Sequence, residues 1–282
     1  MRFGLHLPNF GPVGDPKMLA SLAAEAESAG WDGFFLWDHI LGDPQWREPM
    51  VDPWIALAAV ACATREIRLG ALVTAVPRRR PWHLARETTT LDHLSDGRLI
   101  VGVGLGFPAD AEFEQFGEEG DVRRRAHRLD EGLAVMAGLW SGEPFAFDGD
   151  EYQMRETVFL PTPLQRPRPP VWVACRWPNR APLRRAARWD GIFPEHAGGT
   201  RLSPPELTEL LRYVRQHRER ADQFDAIVAG RSGELADTEL AAYAAAGATW
   251  WLESIAPDDP LTAVRERISA GPPTVDRRDD IG

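Results

Sequence analysis

The sequence predicts an α/β fold, a (β/α)8 TIM barrel with an insertion (helix plus hairpin) after its fourth strand. Three observations carry this reading. First, residues 67–106 form one strand–helix–strand unit: an apolar run to Val76, a stop at Pro77, a helical segment to Leu94, a turn at Asp96-Gly97 and a second apolar run from Leu99 to Leu105. Such a crossover requires parallel strands, and runs of Val, Ile and Leu without polar alternation are buried on both faces. Second, strand and helix signals alternate along the whole chain, giving about eight pairs, the number that closes such a barrel in about 250 residues. Third, the passages SAGWDGFFLW, ARWDGIFP and AAGATWWL repeat one pattern, a helix end, a Gly-containing turn and an aromatic-rich strand. A doubly wound open sheet is the alternative topology.

The elements follow in order. Arg2–Pro8 reads as a strand, and residues 15–29 as a helix with Asp15 as N-cap, Pro16 in the first turn and Gly30 as the stop. Residues 34–37 form the second strand, 53–63 the second helix, 67–73 the third strand, 82–94 the third helix and 99–105 the fourth strand. The insertion, about 107–170, holds a helix over 123–140, a hairpin turning at Asp148-Gly149, and the stiff connector PTPLQRPRPP. Strands at 171–175, 190–193, 225–229 and 249–252 then alternate with helices ending at Arg188 and spanning 204–218, 234–246 and 261–269. No composition shift marks a second domain, so 1–270 is expected to be a single barrel domain and 271–282 a loose C-terminal tail.

Composition narrows the function classes. The formal charge of −10 disfavours nucleic-acid or membrane-surface partners, and no apolar run approaches the roughly 20 residues of a membrane span. The first residues read as a strand rather than a signal peptide, so the expected location is cytoplasmic. Cys62 and Cys175 are isolated and flanked by apolar residues, which favours buried thiols over a disulfide or metal pair.

In a TIM barrel, chemistry sits at the C-terminal strand ends. Those ends carry Asn9, Asp38-His39, Thr74, the segment Gly104, Leu105, Gly106 and Phe107, then Arg176-Trp177, Glu195-His196, Gly230-Arg231 and Glu253. His39 beside a carboxylate is a candidate acid or base near neutrality, or a loop histidine in a structural hydrogen bond. Gly102-x-Gly104-x-Gly106 lacks dinucleotide-loop spacing, and glycines two apart clear one strand face, for a cofactor or for tight barrel packing. Arg78-Arg79-Arg80 is a solvated basic loop or an anion clamp. Arg123–Arg125, at a helix start, reads as surface. No histidine spacing supports a metal site, and the Gly-x-Ser-x-Gly elbow of a hydrolase is absent.

Together FGLHLPNFGP, AGWDGFFLWDHI, LGALVTAVPRRRPWHLARETTTLDHLSDGRLIVGVGLGF and PPVWVACRWPNRAPLRRAARWDGIFP resemble the bacterial luciferase-like superfamily of flavin- and coenzyme F420-dependent oxidoreductases. The resemblance covers about residues 1–193 and, more weakly, the rest. It implies a reduced F420 or FMN cofactor, with F420 narrowly preferred, that transfers hydride to a small organic substrate or oxygenates it. Asp38 would steer His39, the proton-transfer residue. Ala71, Leu72, Thr74, Gly104, Leu105, Gly106 and Phe107 would carry the cofactor, with its phosphate at Arg176, Trp177 and Pro178. Asn9, Trp46, Trp54 and Glu195 would border the substrate, with Phe107 as a further wall. The family's third-strand bulge implies a cis peptide at Ala71–Leu72, and Arg78–Arg80 lie where a polyglutamate tail would leave the mouth. Phe107 replaces the acidic residue of the F420-dependent sugar-phosphate dehydrogenase type, which argues against a sugar phosphate. Arg176-Trp177 replaces the Gly-Gly pair of many relatives. The implied partners are a small-molecule substrate, optionally a separate reductase supplying reduced cofactor, and a second copy in a homodimer. An FMN monooxygenase fed by a reductase and a non-catalytic flavin-binding barrel are the alternatives.

Overall fold

The computed structural model describes residues 1–42, 47–197, 199–236 and 238–274. The elements run β1 (Arg2–Leu7), α1 (Pro16–Ser28), β2 (Gly33–Leu36), α2 (Pro53–Ala63), β3 (Arg68–Ala71), β4 (Thr74–Ala75), α3 (Pro81–Leu94), β5 (Val101–Gly104), α4 (Ala109–Glu112) and α5 (Val122–Ser141). They continue with β6 (Phe145–Asp148), β7 (Gln153–Thr157), β8 (Val171–Trp177), α6 (Arg180–Ala186), β9 (Gly191–His196), α7 (Pro204–His217), β10 (Asp225–Gly230), α8 (Glu239–Ala246), β11 (Trp250–Ser254) and α9 (Leu261–Ser269).

Nine strands pair in parallel in the order β3-β2-β1-β11-β10-β9-β8-β5-β4. Since β3 and β4 are two pieces of one course, the nine strands make eight barrel positions. The ring closes where Leu69 bridges Leu99 in parallel, with the Ile100 amide donating to Leu69 O at 2.9 Å, and where Thr74 pairs with Val103. The expected barrel is therefore observed, and the open sheet is not.

Helix starts follow local chemistry. Asp15 caps α1 by accepting from the Met18 amide at 2.8 Å, and Asp52 caps α2 by accepting from Ile55 at 2.9 Å. Each such cap is worth about 1 kcal/mol, and both helices begin with proline, whose missing N–H costs nothing there. In α7, Ser203 and Glu206 form a capping box.

Some expected boundaries shift. The helix expected over 234–246 begins at Glu239, after a short 3-10 turn at Ser232–Glu234, and the one expected to reach Arg188 ends at Ala186. The hairpin of β6 and β7 turns through Gly149–Tyr152 rather than a two-residue Asp148-Gly149 turn, because Glu131 binds the Asp150, Glu151 and Tyr152 amides and holds the loop wide. Cys175 is buried as expected, whereas Cys62, on the outer side of α2, is exposed. No helix among the described residues is long and apolar enough to cross a membrane.

Candidate active site

The barrel interior is filled by Phe35, Leu72, Ile100, Trp172, Phe193, Ile227, Trp250 and Leu252, all buried. Trp172 and Trp250 pack edge to face with ring centres 5.3 Å apart. Strand side chains alternate, so residues two further on share the same face. Beyond Trp172, Ile227 and Leu252 that face carries the small residues Ala174, Ala229 and Ser254, and beyond Phe35 and Phe193 it carries Trp37 and Glu195. All five are only half-buried. The aromatic floor thus gives way to a mouth lined by small side chains at the C-terminal strand ends.

One wall of the mouth is aromatic. The His6 ring lies 5.7 Å from Trp37 and 5.5 Å from Phe193, and His39 lies 5.9 Å from Trp37 and 6.0 Å from Phe10. His6 Nε2 donates to Leu72 O at 2.9 Å, and burial pulls the imidazole down to about 4, so it is neutral near pH 7. Buried Trp37 Nε1 and Thr74 Oγ1 have no hydrogen-bond partner. Trp250 Nε1 in the barrel floor and Trp54 Nε1 in the outer core are unpaired as well, each a cost to the fold unless something satisfies it.

Beside this wall lies an ion network. Glu112, at the end of α4, is 1% exposed. Its carboxylate accepts from His39 Nδ1 at 3.0 Å, from the Gly42, Ile40 and Leu41 amides at 2.8, 3.2 and 3.3 Å, and from Arg78. Burial alone would raise this carboxyl, but His39, Arg78 and the Gly42 amide hold it at about 2. Arg78 also donates to Asp38 Oδ1 at 2.8 Å, and Arg79 to both Asp38 oxygens at 3.3 Å.

This geometry revises several expectations. The carboxylate that orients His39 is Glu112, while Asp38 serves the two arginines. Arg78 and Arg79 are turned inward and neutralised there, so of the three only Arg80 is exposed, and the anion clamp does not form. Arg125 is not surface: it is buried and donates to Leu105 O and Gly106 O, both at 2.9 Å. Asn9 spends its amide on His39 O, Val51 O and the His39 amide, tying the loops after β1 and β2 rather than facing a substrate. Trp54, Ala71 and Trp177 belong to the outer core between strands and helices. Gly102 and Gly104 serve packing, since a Cβ would meet Leu72 Cδ2 at 2.2 Å or Val73 Cγ2 at 2.6 Å. The cis bond falls one residue later than expected, at Leu72–Val73.

Glu195 is half-buried on the inward face of β9, whereas Leu72 and Thr74 are buried, Leu72 within the barrel interior. Gly106 takes a left-handed φ of +80° as the chain leaves β5. Phe107 stands exposed on the rim, with the Arg176 guanidinium 4.2 Å over its ring, and Pro178 is exposed nearby in the chain. Trp46 lies outside the described residues. The sequence reading missed His6, although its two-residue spacing from Gly4 already set it on the inward face. It also missed Glu112, a single acid in an acidic segment that gives no periodic signal. Among the described residues no group of three His, Cys, Asp or Glu side chains is placed to hold a metal ion.

Comparison with known proteins agrees with this architecture. The family described as luciferase-like monooxygenase matches residues 1–272. An uncharacterised protein of Mycobacterium tuberculosis is 30% identical over 216 residues, 71% of this chain and 71% of its own length. The oxygenase component of a flavin-dependent trigonelline monooxygenase from Acinetobacter baylyi is 34% identical over 128 residues, 45% of this chain and 35% of that protein. Among solved structures, an F420-dependent secondary alcohol dehydrogenase bound to an F420–acetone adduct superposes with a TM-score of 0.77 at 17% identity, covering 95% of this chain and 96% of that one. The oxygenating constituent of the 3,6-diketocamphane monooxygenase of Pseudomonas putida, in complex with FMN, superposes with a TM-score of 0.65 at 17% identity, covering 82% and 67%. At these identities the superpositions speak to the fold.

Proposed function

The chain belongs to the luciferase-like monooxygenase family, a family of oxidoreductases, and from that premise we propose that it binds coenzyme F420 at the strand C-terminal mouth and transfers hydride between it and a small organic substrate. The observation that carries this reading is His39, whose ring is fixed by Glu112 beside the small-residue mouth. Hydride transfer needs a group that holds or releases a proton, and an imidazole can do either. The bound cofactor supplies the redox-active ring, and the protein supplies binding, orientation and a proton. The unpartnered Thr74 Oγ1 and Trp37 Nε1 fit the polar edge of such a ring, between the aromatic wall and the small side chains.

In this reading Leu72 and the 105–107 segment border the ring, and Arg176 and Pro178 lie toward its phosphate. Ala71 and Trp177 contribute backbone only. With Glu112 accepting from Nδ1–H, Nε2 is the His39 nitrogen that gains and loses the proton. The second reading is an FMN monooxygenase supplied by a separate reductase, favoured by the likeness to the trigonelline oxygenase component.

Anaerobic titration with F420 and FMN, followed by absorbance and fluorescence, separates the two. Tight F420 binding with oxygen-independent hydride transfer supports the proposal. Tight FMN binding without F420 binding replaces it with the monooxygenase reading.

A further inference from the structure

Glu195 is the one acidic side chain among the described, not fully exposed residues that makes neither a hydrogen bond nor an ion pair. Every other buried or half-buried carboxylate there is engaged: Asp38 and Glu112 by arginines, Asp225 by Trp172 and Thr249, Asp92 by Gln165, Glu253 by Ser232, Trp251 and Arg267. Glu195 lies on the inward face of β9, two residues beyond Phe193, which is part of the barrel floor. Its register partner on β8 is Arg176, the natural neutralising group. Yet Arg176 makes no ion pair with it, because its guanidinium lies over the Phe107 ring. Burial pushes the Glu195 carboxyl up, against the pull of Arg176.

A half-buried carboxyl without a partner is costly unless a ligand satisfies it. A cationic ligand group would meet the nearby guanidinium, whereas a hydroxyl pairs with a carboxyl in either protonation state. We propose that Glu195 accepts a hydrogen bond from a ligand hydroxyl, and that Arg176 and Glu195 together read a hydroxyl next to an anionic phosphate, the pattern of a ribityl phosphate. This rests on the cofactor reading above, since F420 and FMN both carry a ribityl chain ending in a phosphate. It adds to that reading a protein acceptor for the polyol.

The test compares affinities rather than turnover. Riboflavin and lumiflavin, which lacks the ribityl chain, are titrated by fluorescence into the wild type, Glu195→Leu and Glu195→Gln. The same comparison is made with F420, the ribityl deazaflavin that lacks its phosphate tail, and the bare deazaflavin ring. Thermal melts confirm that each variant is folded, and the amide oxygen of Glu195→Gln keeps an acceptor should the leucine variant not fold. The expected result is that Glu195→Leu weakens the ribityl-bearing ligand by roughly 10- to 100-fold and leaves the bare ring unchanged, with Glu195→Gln between wild type and leucine. Equal effects on both ligands, or no effect on either, overturn the proposal while leaving the cofactor reading intact. A wild type that binds none of these ring systems overturns both.

Discussion

Glu112 Oε1 lies 3.0 Å from His39 Nδ1, although 73 positions separate the two residues in the chain. The same carboxylate accepts the amides of Ile40, Leu41 and Gly42 and is neutralised by Arg78. One buried side chain therefore sets the ring of His39, the path of the loop behind it and the place of an inward arginine.

Replacing Glu112 tests this directly. Glu112→Ala leaves Arg78 buried without one of its two carboxylates and is expected to lower stability by about 3–5 kcal/mol in urea denaturation. Glu112→Gln keeps the shape and removes the charge. Nitrogen-15 NMR is expected to show the proton on His39 Nδ1 in the wild type and a mixture of tautomers in that variant. An unchanged tautomer would remove the orienting role from Glu112.

His39→Ala is expected to cut turnover by about 100- to 10,000-fold while leaving cofactor affinity within a few-fold, because proton transfer contributes that much in rate and one ring edge adds little binding. Steady-state kinetics and equilibrium titration together decide it. A loss confined to affinity would make His39 a wall residue.

Two separable pH windows are expected in stability. His6 titrates at about 4 when folded against 6.5 unfolded, so its contribution is full above pH 6.5 and lost as pH falls toward 4, a change of about 3 kcal/mol. Glu112 titrates at about 2 when folded against 4.5 unfolded, so its contribution is full above pH 4.5 and lost toward pH 2, again about 3 kcal/mol. Urea midpoints of His6→Gln should lack the upper slope and keep the lower one.

Arg79 and Arg80 are neighbours with opposite expected behaviour. Arg80→Ala removes an exposed cation and should change stability by less than about 0.5 kcal/mol. Asp38→Asn leaves Arg78 and Arg79 short of charge and should cost about 3–5 kcal/mol. Thermal denaturation of the two variants side by side distinguishes a basic surface loop from an inward network.

The sequence carried the barrel because its signals are local. Apolar strand runs, proline at helix starts and glycine at helix ends each act within a few residues, and α2 and α9 have the ends expected of them. Of the candidate site, only what coincides with strand ends was legible, as at His39, Thr74 and Glu195. Pairings across long stretches of chain left no local trace, so the partner of His39 was assigned to adjacent Asp38 rather than to distant Glu112. The run Arg78–Arg80 misled for the same reason, since charge in sequence says nothing about which side chains turn inward to meet a buried acid. The glycines of β5 were ambiguous until their neighbours, Leu72 and Val73, were in place.

The change from aromatic floor to small-residue mouth separates two selective pressures along the same strands. Trp172, Trp250 and Phe35 hold the barrel together, and enlarging or trimming them disturbs a close-packed interior. Ala174, Ala229 and Ser254 stand about two residues higher on the same face and are half-buried rather than enclosed. Successive exchanges there alter the volume and polarity offered to a guest while the hydrogen-bonded ring below stays the same. The upper tier is thus the part of the molecule that can drift toward new chemistry one residue at a time, and the place to begin redesigning what it admits.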